Sequence, residues 1–442
     1  MRKLYYSFIL LAVIIAVGLL IKAFIGNPPN EYQYNPTGYN SFIPETDDLP
    51  YATYIQVNKS RIKSALTPLF NHQKPDKHTP SLKQIIENIA PFEIPPIPEN
   101  LTKKSKGHRI GFIFFHGLGN TAYDFKIMAA ELHKHYPQSL MRAPMYSGHG
   151  TVIADSLDVT FEEWKKIANY TISSMNDLVD DLFLVGYSTG GALILDYINA
   201  HPQKDSSHPK IKGLVLFNPA IAAKNDLIRF TPYLTLIKPY YDIAADLSPY
   251  IYESWTSNLL SEFYQLINNF ANLKPNTIPT LIALSSDDIT TDSNETFRYF
   301  CNQNHNPLST LLLFKSKDKL NKQLCKPTHV FDLRSDPKIK KHYRYMSFSH
   351  RSLIHSARHP VFGFDKSYPN CIHYELLEEK SKWNICLHDN EKTVYGEEDL
   401  LNEPDQLGGK ILRRASFNPY YDQMMTLIRE FIASAIKKQS PS

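Results

Sequence analysis

From residue 110 onward, short apolar runs alternate with stretches whose apolar positions recur at helical spacing. Ile110–Phe115 is one run, Leu182–Val185 a second, Gly213–Phe217 a third and Leu281–Leu284 a fourth. Runs of this length without internal polar residues, bounded by turn-forming residues, read as strands buried on both faces. AYDFKIMAAELHKHY (122–136), TFEEWKKIANYTISSMNDLV (160–179) and ALILDYINA (192–200) carry the helical period between them. Strands alternating with helices predict a parallel sheet covered on both faces. DQMMTLIREFIASAI (422–436) reads as an amphipathic closing helix. Upstream, SLKQIIENI (81–89) reads as a short helix. PFEIPPIPEN (91–100) reads as an extended segment packing along the edge of the sheet.

The second run leads straight into Gly186-Tyr187-Ser188-Thr189-Gly190 and then a helix. Strand, sharp turn and helix with a serine at the apex is what a nucleophile elbow requires. The serine must adopt strained backbone angles, and Gly186 and Gly190 remove Cβ atoms that would collide with the turn. The first run ends in His116-Gly117-Leu118-Gly119. A backbone N–H there, at the end of a neighbouring strand, is the second donor an oxyanion hole needs. We assign the two donors to Leu118 and Thr189. His149, in the loop APMYSGHG (143–150), reads as structural rather than catalytic.

HGLG (116–119), PMYSGHG (144–150) and GYSTGG (186–191), in this order, resemble the α/β-hydrolase superfamily. Within it they are most similar to the branch of monoacylglycerol lipases, lysophospholipases and related serine peptidases. The resemblance spans roughly residues 108–300 and is weaker in the C-terminal third. It implies an α/β-hydrolase fold, with a mostly parallel sheet, helices on both faces and a helical cap. It also implies partners for the serine in the order acid, then histidine. Asp288, at the tip of the Leu281–Leu284 strand, is the candidate acid and Asp287 the alternative. His350, in MSFSHRSLIHS, is the candidate base. His355 is the first alternative, and His305, His329, His342, His359, His373 and His388 come after it. His350 lies farther from Asp288 than the family pattern leads one to expect, which implies an insertion near 301–345.

Residues 218–279 are too long for a simple crossover and are rich in aromatic side chains. The resemblance makes this segment the cap over an acyl pocket. The catalytic domain is then 106–442, preceded by a Pro-rich spacer and extension over 27–105.

Residues 4–25 form a largely apolar stretch whose only charge is Lys22, preceded by Arg2 and Lys3. It is long enough to cross a bilayer, and no good cleavage site lies beyond it. We read residues 1–26 as an uncleaved membrane anchor, with a signal sequence as the alternative. The basic N-terminus puts the catalytic domain outside the cytoplasm. The expected setting is a bacterial inner membrane facing the periplasm, or else secretion. All four cysteines lie beyond residue 300, and an oxidising compartment would allow bridges. Cys301–Cys325 with Cys371–Cys386 is one of three connectivities.

The net charge of +4, without a long basic run, argues against a nucleic-acid partner. There is no zinc-type Cys/His spacing and no phosphate-binding loop, and no cofactor is expected. The sequence therefore predicts a membrane-anchored serine hydrolase acting on lipid-like or other acyl esters. Peptidase, acyltransferase or a non-catalytic binding role on the same scaffold are the alternatives.

Overall fold

The computed structural model describes residues 31–73, 79–98, 109–202, 209–320, 325 and 328–437. Alternation along each strand decides the layering. In Ile110–Phe115, Phe112 and Phe114 pack into one core, while Ile113 and Phe115 pack into another on the opposite face. In Asp181–Tyr187, Phe183 and Val185 join the first core, and Leu182 and Leu184 the second. With apolar side chains on both faces, the sheet is stable only when both are covered. Helices Tyr123–His135 and Tyr421–Lys437 cover one face; Phe161–Ser173 and Thr189–Ala200 cover the other.

In chain order the strands are β1 (Phe92–Ile94), β2 (Ile110–Phe115), β3 (Leu140–Ala143), β4 (Asp181–Tyr187), β5 (Lys210–Phe217) and β6 (Tyr240–Asp242). They continue with β7 (Trp255–Thr256), β8 (Thr280–Ser285), β9 (Thr310–Lys315), β10 (Thr328–Asp332), β11 (Thr393–Gly396) and β12 (Ile411–Arg414). The central sheet has the order β1-β3-β2-β4-β5-β8-β9-β10. Its neighbours are parallel except for β1, which pairs antiparallel with β3 at the edge. From β2 the chain steps outward to β3, then returns to the other side of β2 to make β4. Such a reversal opens a crevice beyond the carboxyl ends of the strands, where ligands of open α/β sheets bind.

The fold departs from the sequence reading in three places. Residues 31–60 are not a free spacer. The helix Tyr51–Gln73 buries Tyr51, Tyr54, Asn58, Ile62, Ala65 and Leu66, positions that recur on one helical face. Tyr34 and Ser41 ahead of it are also buried. The expected insertion at 301–345 contains β9, an integral strand of the sheet. Between β9 and His350 the chain adds β10 to the sheet edge and then forms the helix Pro337–His342. The third departure lies beyond the histidine and was not foreseen. Cys371, Tyr374, Cys386, Val394, Leu400, Leu407 and Leu412 form a small separate core, with β11 and β12 paired in parallel beside it.

The cysteines pair as Cys301–Cys325 and Cys371–Cys386, and the second bridge closes this small lobe. Segment 218–279 holds the helices Thr231–Leu234 and Ser257–Asn268 and the antiparallel pair β6–β7. The proposed anchor at 4–25 lies outside the described residues. Among the described residues, no helix is long and apolar enough to cross a membrane.

Candidate active site

β4 ends at Tyr187, and the next residue, Ser188, has φ 53° and ψ −116°, a conformation rarely adopted by residues other than glycine. The strain is held by its neighbours. The Ser188 amide donates to Phe217 O of β5 at 3.0 Å, and Ser188 O accepts from Ala192 and Ala220, each at 3.1 Å. The surrounding glycines are obligatory on steric grounds. A Cβ on Gly190 would lie 1.9 Å from Phe115 O, and one on Gly186 would lie 2.7 Å from Gly191 N.

The structure brings Ser188, His350 and Asp288 together. His350 Nε2 is 2.9 Å from Ser188 Oγ, and His350 Nδ1 is 2.6 Å from Asp288 Oδ2. With the Nδ1 proton donated to Asp288, Nε2 is left free to accept the serine proton. All three residues are buried. Asp288 is also held from behind, accepting the amides of Thr290 at 2.7 Å and Thr291 at 3.1 Å and the Thr291 hydroxyl at 2.8 Å. Burial pushes its carboxyl upward. The His350 charge and these hydrogen bonds outweigh that push and hold it below the ordinary carboxylate range.

Asp287, the alternative acid, faces elsewhere. Its Oδ2 accepts the amides of Ser316 at 2.9 Å and Phe348 at 3.1 Å, tying the strand end to the loop that delivers His350. Burial pushes its carboxyl up to about 6. His355 is buried against Ser416 O at 3.2 Å and Asp124 at 3.6 Å and does not line the Ser188 cavity. Nor do His305, His329, His342, His359 or His388. His373 does.

Leu118 and Thr189 line the cavity beside Ser188. Among the described residues, neither backbone amide donates a hydrogen bond, so both are free to meet a negative oxygen. The turn that carries Leu118 is fixed by His149. Its Nε2 accepts the Gly119 amide at 3.0 Å while Nδ1 faces Ser147 O at 3.0 Å. Burial drives the His149 pKa down to about 3, so the ring is neutral and can accept at Nε2. The N-terminal extension braces this loop in turn. The Tyr54 hydroxyl donates to Met145 O at 3.0 Å and Ser41 Oγ donates to Tyr146 O at 2.8 Å. Asn40 Oδ1 accepts the Gly148 amide.

The cavity is about 410 Å³. Leu227, Ile228, Trp255, Leu260 and Phe263 of segment 218–279 give it an apolar wall. Glu253, Arg351, Tyr368, His373 and Arg414 give it a polar one. Sequence reasoning missed this second wall and an ion pair behind His350, buried Glu397 with the partly exposed Arg414, linked at 2.7 Å. For Arg351, its position next to His350 was an available signal. For the others there was no local one.

The sheet order and the serine elbow at its switch point are those of the α/β-hydrolase fold. Within that class, residues 108–265 match the family model described as Serine aminopeptidase, S33. No curated protein matches the chain. Similar solved structures include a study of LipS and LipT, two metagenome-derived lipolytic enzymes, at 18% identity and TM-score 0.42, covering 50% of this chain and 86% of that one. The Paleococcus ferrophilus monoacylglycerol lipase is 18% identical, with TM-score 0.39, covering 60% of this chain and 96% of that one. A soluble variant of monoglyceride lipase from Saccharomyces cerevisiae is 15% identical, with TM-score 0.38, covering 55% and 85%.

Proposed function

We propose that the protein is a serine hydrolase that cleaves carboxylic esters carrying an apolar acyl chain, through an acyl-enzyme intermediate. The observation that carries this reading is the unbroken chain Asp288–His350–Ser188, with contacts of 2.6 and 2.9 Å, opening into a cavity with one apolar wall. Ser188 Oγ attacks the acyl carbonyl as His350 Nε2 takes its proton. The carbonyl oxygen becomes an oxyanion held by the Leu118 and Thr189 amides, each such donor being worth about 3 kcal/mol of barrier. His350 passes the proton to the leaving alcohol. Water, activated by the same imidazole, then releases the acid. Asp288 keeps the Nδ1 proton in place and offsets the imidazolium charge.

The apolar wall favours acyl substrates. So does the exposed apolar surface of segment 218–279, where Leu227, Phe230, Tyr233 and Leu236 face solvent and Leu227 also lines the cavity. Paired cysteines and the apolar stretch at 4–25 support a place outside the cytoplasm, attached to a membrane. The test is hydrolysis of p-nitrophenyl esters of increasing acyl length. Activity should rise with chain length until the wall is filled, and fall at least about 10³-fold in Ser188→Ala. Turnover of an aminoacyl amide but of no ester would favour a peptidase, the activity that the family description names.

A further inference from the structure

Two segments far apart in sequence carry the proposed chemistry: the loop that delivers His350 and the turn 116–120 that bears the Leu118 amide. One side chain joins them. Arg351, the residue after the base, donates from Nη1 to Asn120 Oδ1 at 2.8 Å and from Nη2 to Asp124 Oδ1 at 3.1 Å. Arg351, Asn120 and Asp124 are all buried, at 9%, 5% and 2% exposure. Among the described residues, no other hydrogen bond links the turn 116–120 to the loop 347–352.

The two branches of the guanidinium do different things. Asp124, in the first turn of the helix Tyr123–His135, supplies the countercharge. Burial pushes its carboxyl upward, and Arg351 and His355 outweigh that push and hold it below the ordinary range. A buried guanidinium needs such a partner wherever it sits. The other branch reaches the turn itself. The Asn120 amide donates to Gly117 O at 3.2 Å and closes the turn around Leu118. The Asn120 side chain also covers Gly117, where a Cβ would lie 3.1 Å from Nδ2. Displacing Asn120 therefore displaces the peptide units beside Leu118. Gly119 is held separately, by His149 Nε2 at 3.0 Å and by the Tyr252 amide on its carbonyl at 2.8 Å. Neither of those partners belongs to the base loop.

In the proposed reaction His350 takes the serine proton as negative charge builds at the Leu118 amide. Both groups must keep their places about Ser188 Oγ at that moment, and small misplacements are costly. A planar guanidinium with two donors in a fixed fork is suited to setting that separation. We propose that Arg351 is a positioning residue that locks the base loop to the oxyanion turn through Asn120, and that it acts on the transition state rather than on substrate binding. The proposal rests on the serine-hydrolase reading given above.

The test compares Arg351→Lys and Asn120→Ala, singly and together. Lysine keeps the charge and can still pair with Asp124, but its single nitrogen cannot replace the fork. On p-nitrophenyl octanoate each single change should lower kcat by about 10- to 100-fold, less than the 10²- to 10³-fold cost of deleting an oxyanion donor. KM should stay within about twofold. The double variant should fall no further than the worse single one, because both changes break the same contact. A trifluoromethyl ketone, which adds Ser188 Oγ to its carbonyl and leaves a tetrahedral oxyanion, should bind more weakly in proportion to the fall in kcat/KM. Asn120→Ala leaves the Arg351–Asp124 pair in place and serves if Arg351→Lys does not fold. Additive losses, a change confined to KM, or an unchanged kcat in Asn120→Ala would overturn the lock. The rate of fluorophosphonate labelling at Ser188 gives the same comparison without ester cleavage. Labelling as fast in both single variants as in the wild-type chain would also overturn the lock. Slower labelling in both, by a wild-type chain that cleaves no ester, would overturn the esterase reading alone.

Discussion

The Glu397 carboxylate accepts the backbone amide of His350 at 3.0 Å, across 47 residues. The same carboxylate takes Arg414 Nε at 2.7 Å, and Arg414 Nη2 donates to Thr290 Oγ1 at 2.7 Å, just beyond Asp288. One ion pair from the unforeseen lobe therefore braces both the loop of the proposed base and the loop of the proposed acid. Glu397 is fully buried. Burial raises its carboxyl pKa against the pull of Arg414.

Glu397→Ala leaves the His350 amide without its acceptor and Arg414 with only Glu398, at 3.4 Å, and Thr290, at 2.7 Å. Leaving a buried amide without its acceptor costs about 1–3 kcal/mol, and we predict a loss of that order in urea unfolding. Ester turnover should fall at the same time, through kcat more than KM. Glu397→Gln keeps an acceptor for His350 and should lose less of both. A stability change under about 0.5 kcal/mol, the ordinary range for an inert surface site, would contradict the brace.

His149 acts through Gly119 on the turn that bears the Leu118 amide. His149→Ala should lower kcat by about 10- to 100-fold with little change in KM, less than the 10²- to 10³-fold cost of deleting an oxyanion donor outright. Tyr54→Phe removes the hydroxyl that bridges Met145 N and O, and should shift kcat in the same direction by a smaller factor. Steady-state kinetics on one ester separates the two parameters. A change confined to KM would place His149 outside the oxyanion machinery.

The adjacent aspartates make opposite contributions to stability as pH changes. Asp288 is held below the ordinary range. Its contribution is present above the unfolded value near ~3.9 and is lost as pH falls through its folded pKa. Asp287 is raised to about 6. Its contribution is complete below ~3.9 and is lost as pH rises towards its folded pKa. Asp287→Asn keeps an acceptor for the Phe348 amide and cannot ionise. We predict a flatter Tm profile between about pH 4 and 6 than in the wild-type chain. An unchanged slope across that window would count against a raised Asp287.

The two disulfides should separate by function. Cys371–Cys386 spans 15 residues, and a loop of that size is worth roughly 3 kcal/mol. Its lobe supplies His373 and Arg414 to the cavity, so the Ser pair at 371 and 386 should lose stability and raise KM together. The bridge Cys301–Cys325 ties the end of the helix Ser293–Asn302 to the chain beyond β9, and neither cysteine lines the Ser188 cavity. Its Ser pair should lose stability with KM unchanged. Equal kinetic effects from both pairs would remove the distinction.

The elbow at Ser188 was legible because three local signals coincide there: a buried strand, glycines that no side chain could replace, and a helix. Asp288 was legible from its register at a strand tip. What sets it apart from Asp287 is side-chain direction, which alternates along an extended backbone. The distance to His350 pointed to added chain, but β10 is short and half-exposed, so its apolar pattern is weak. The lobe that holds Glu397 and Arg414 was not legible. Its strands are four residues each and its helices short. Its ion pair joins residues whose local sequence gives no sign of one another. Packing of the N-terminal extension was hidden for a related reason, because Tyr54 and Asn58 look polar until their partners in the 144–150 loop and near Phe42 are known.

The most direct measurement is reaction of the purified chain with a fluorophosphonate, with the adduct mapped by mass spectrometry and its rate compared in Ser188→Ala, His350→Ala and Asp288→Asn. The account predicts one adduct, on Ser188. It should be absent in Ser188→Ala, nearly absent in His350→Ala, and slowed by up to about 10⁴-fold in Asp288→Asn, the factor seen where such an acid is neutralised in place. A folded protein that forms no adduct, or that labels Ser188 at the same rate without His350, would contradict it.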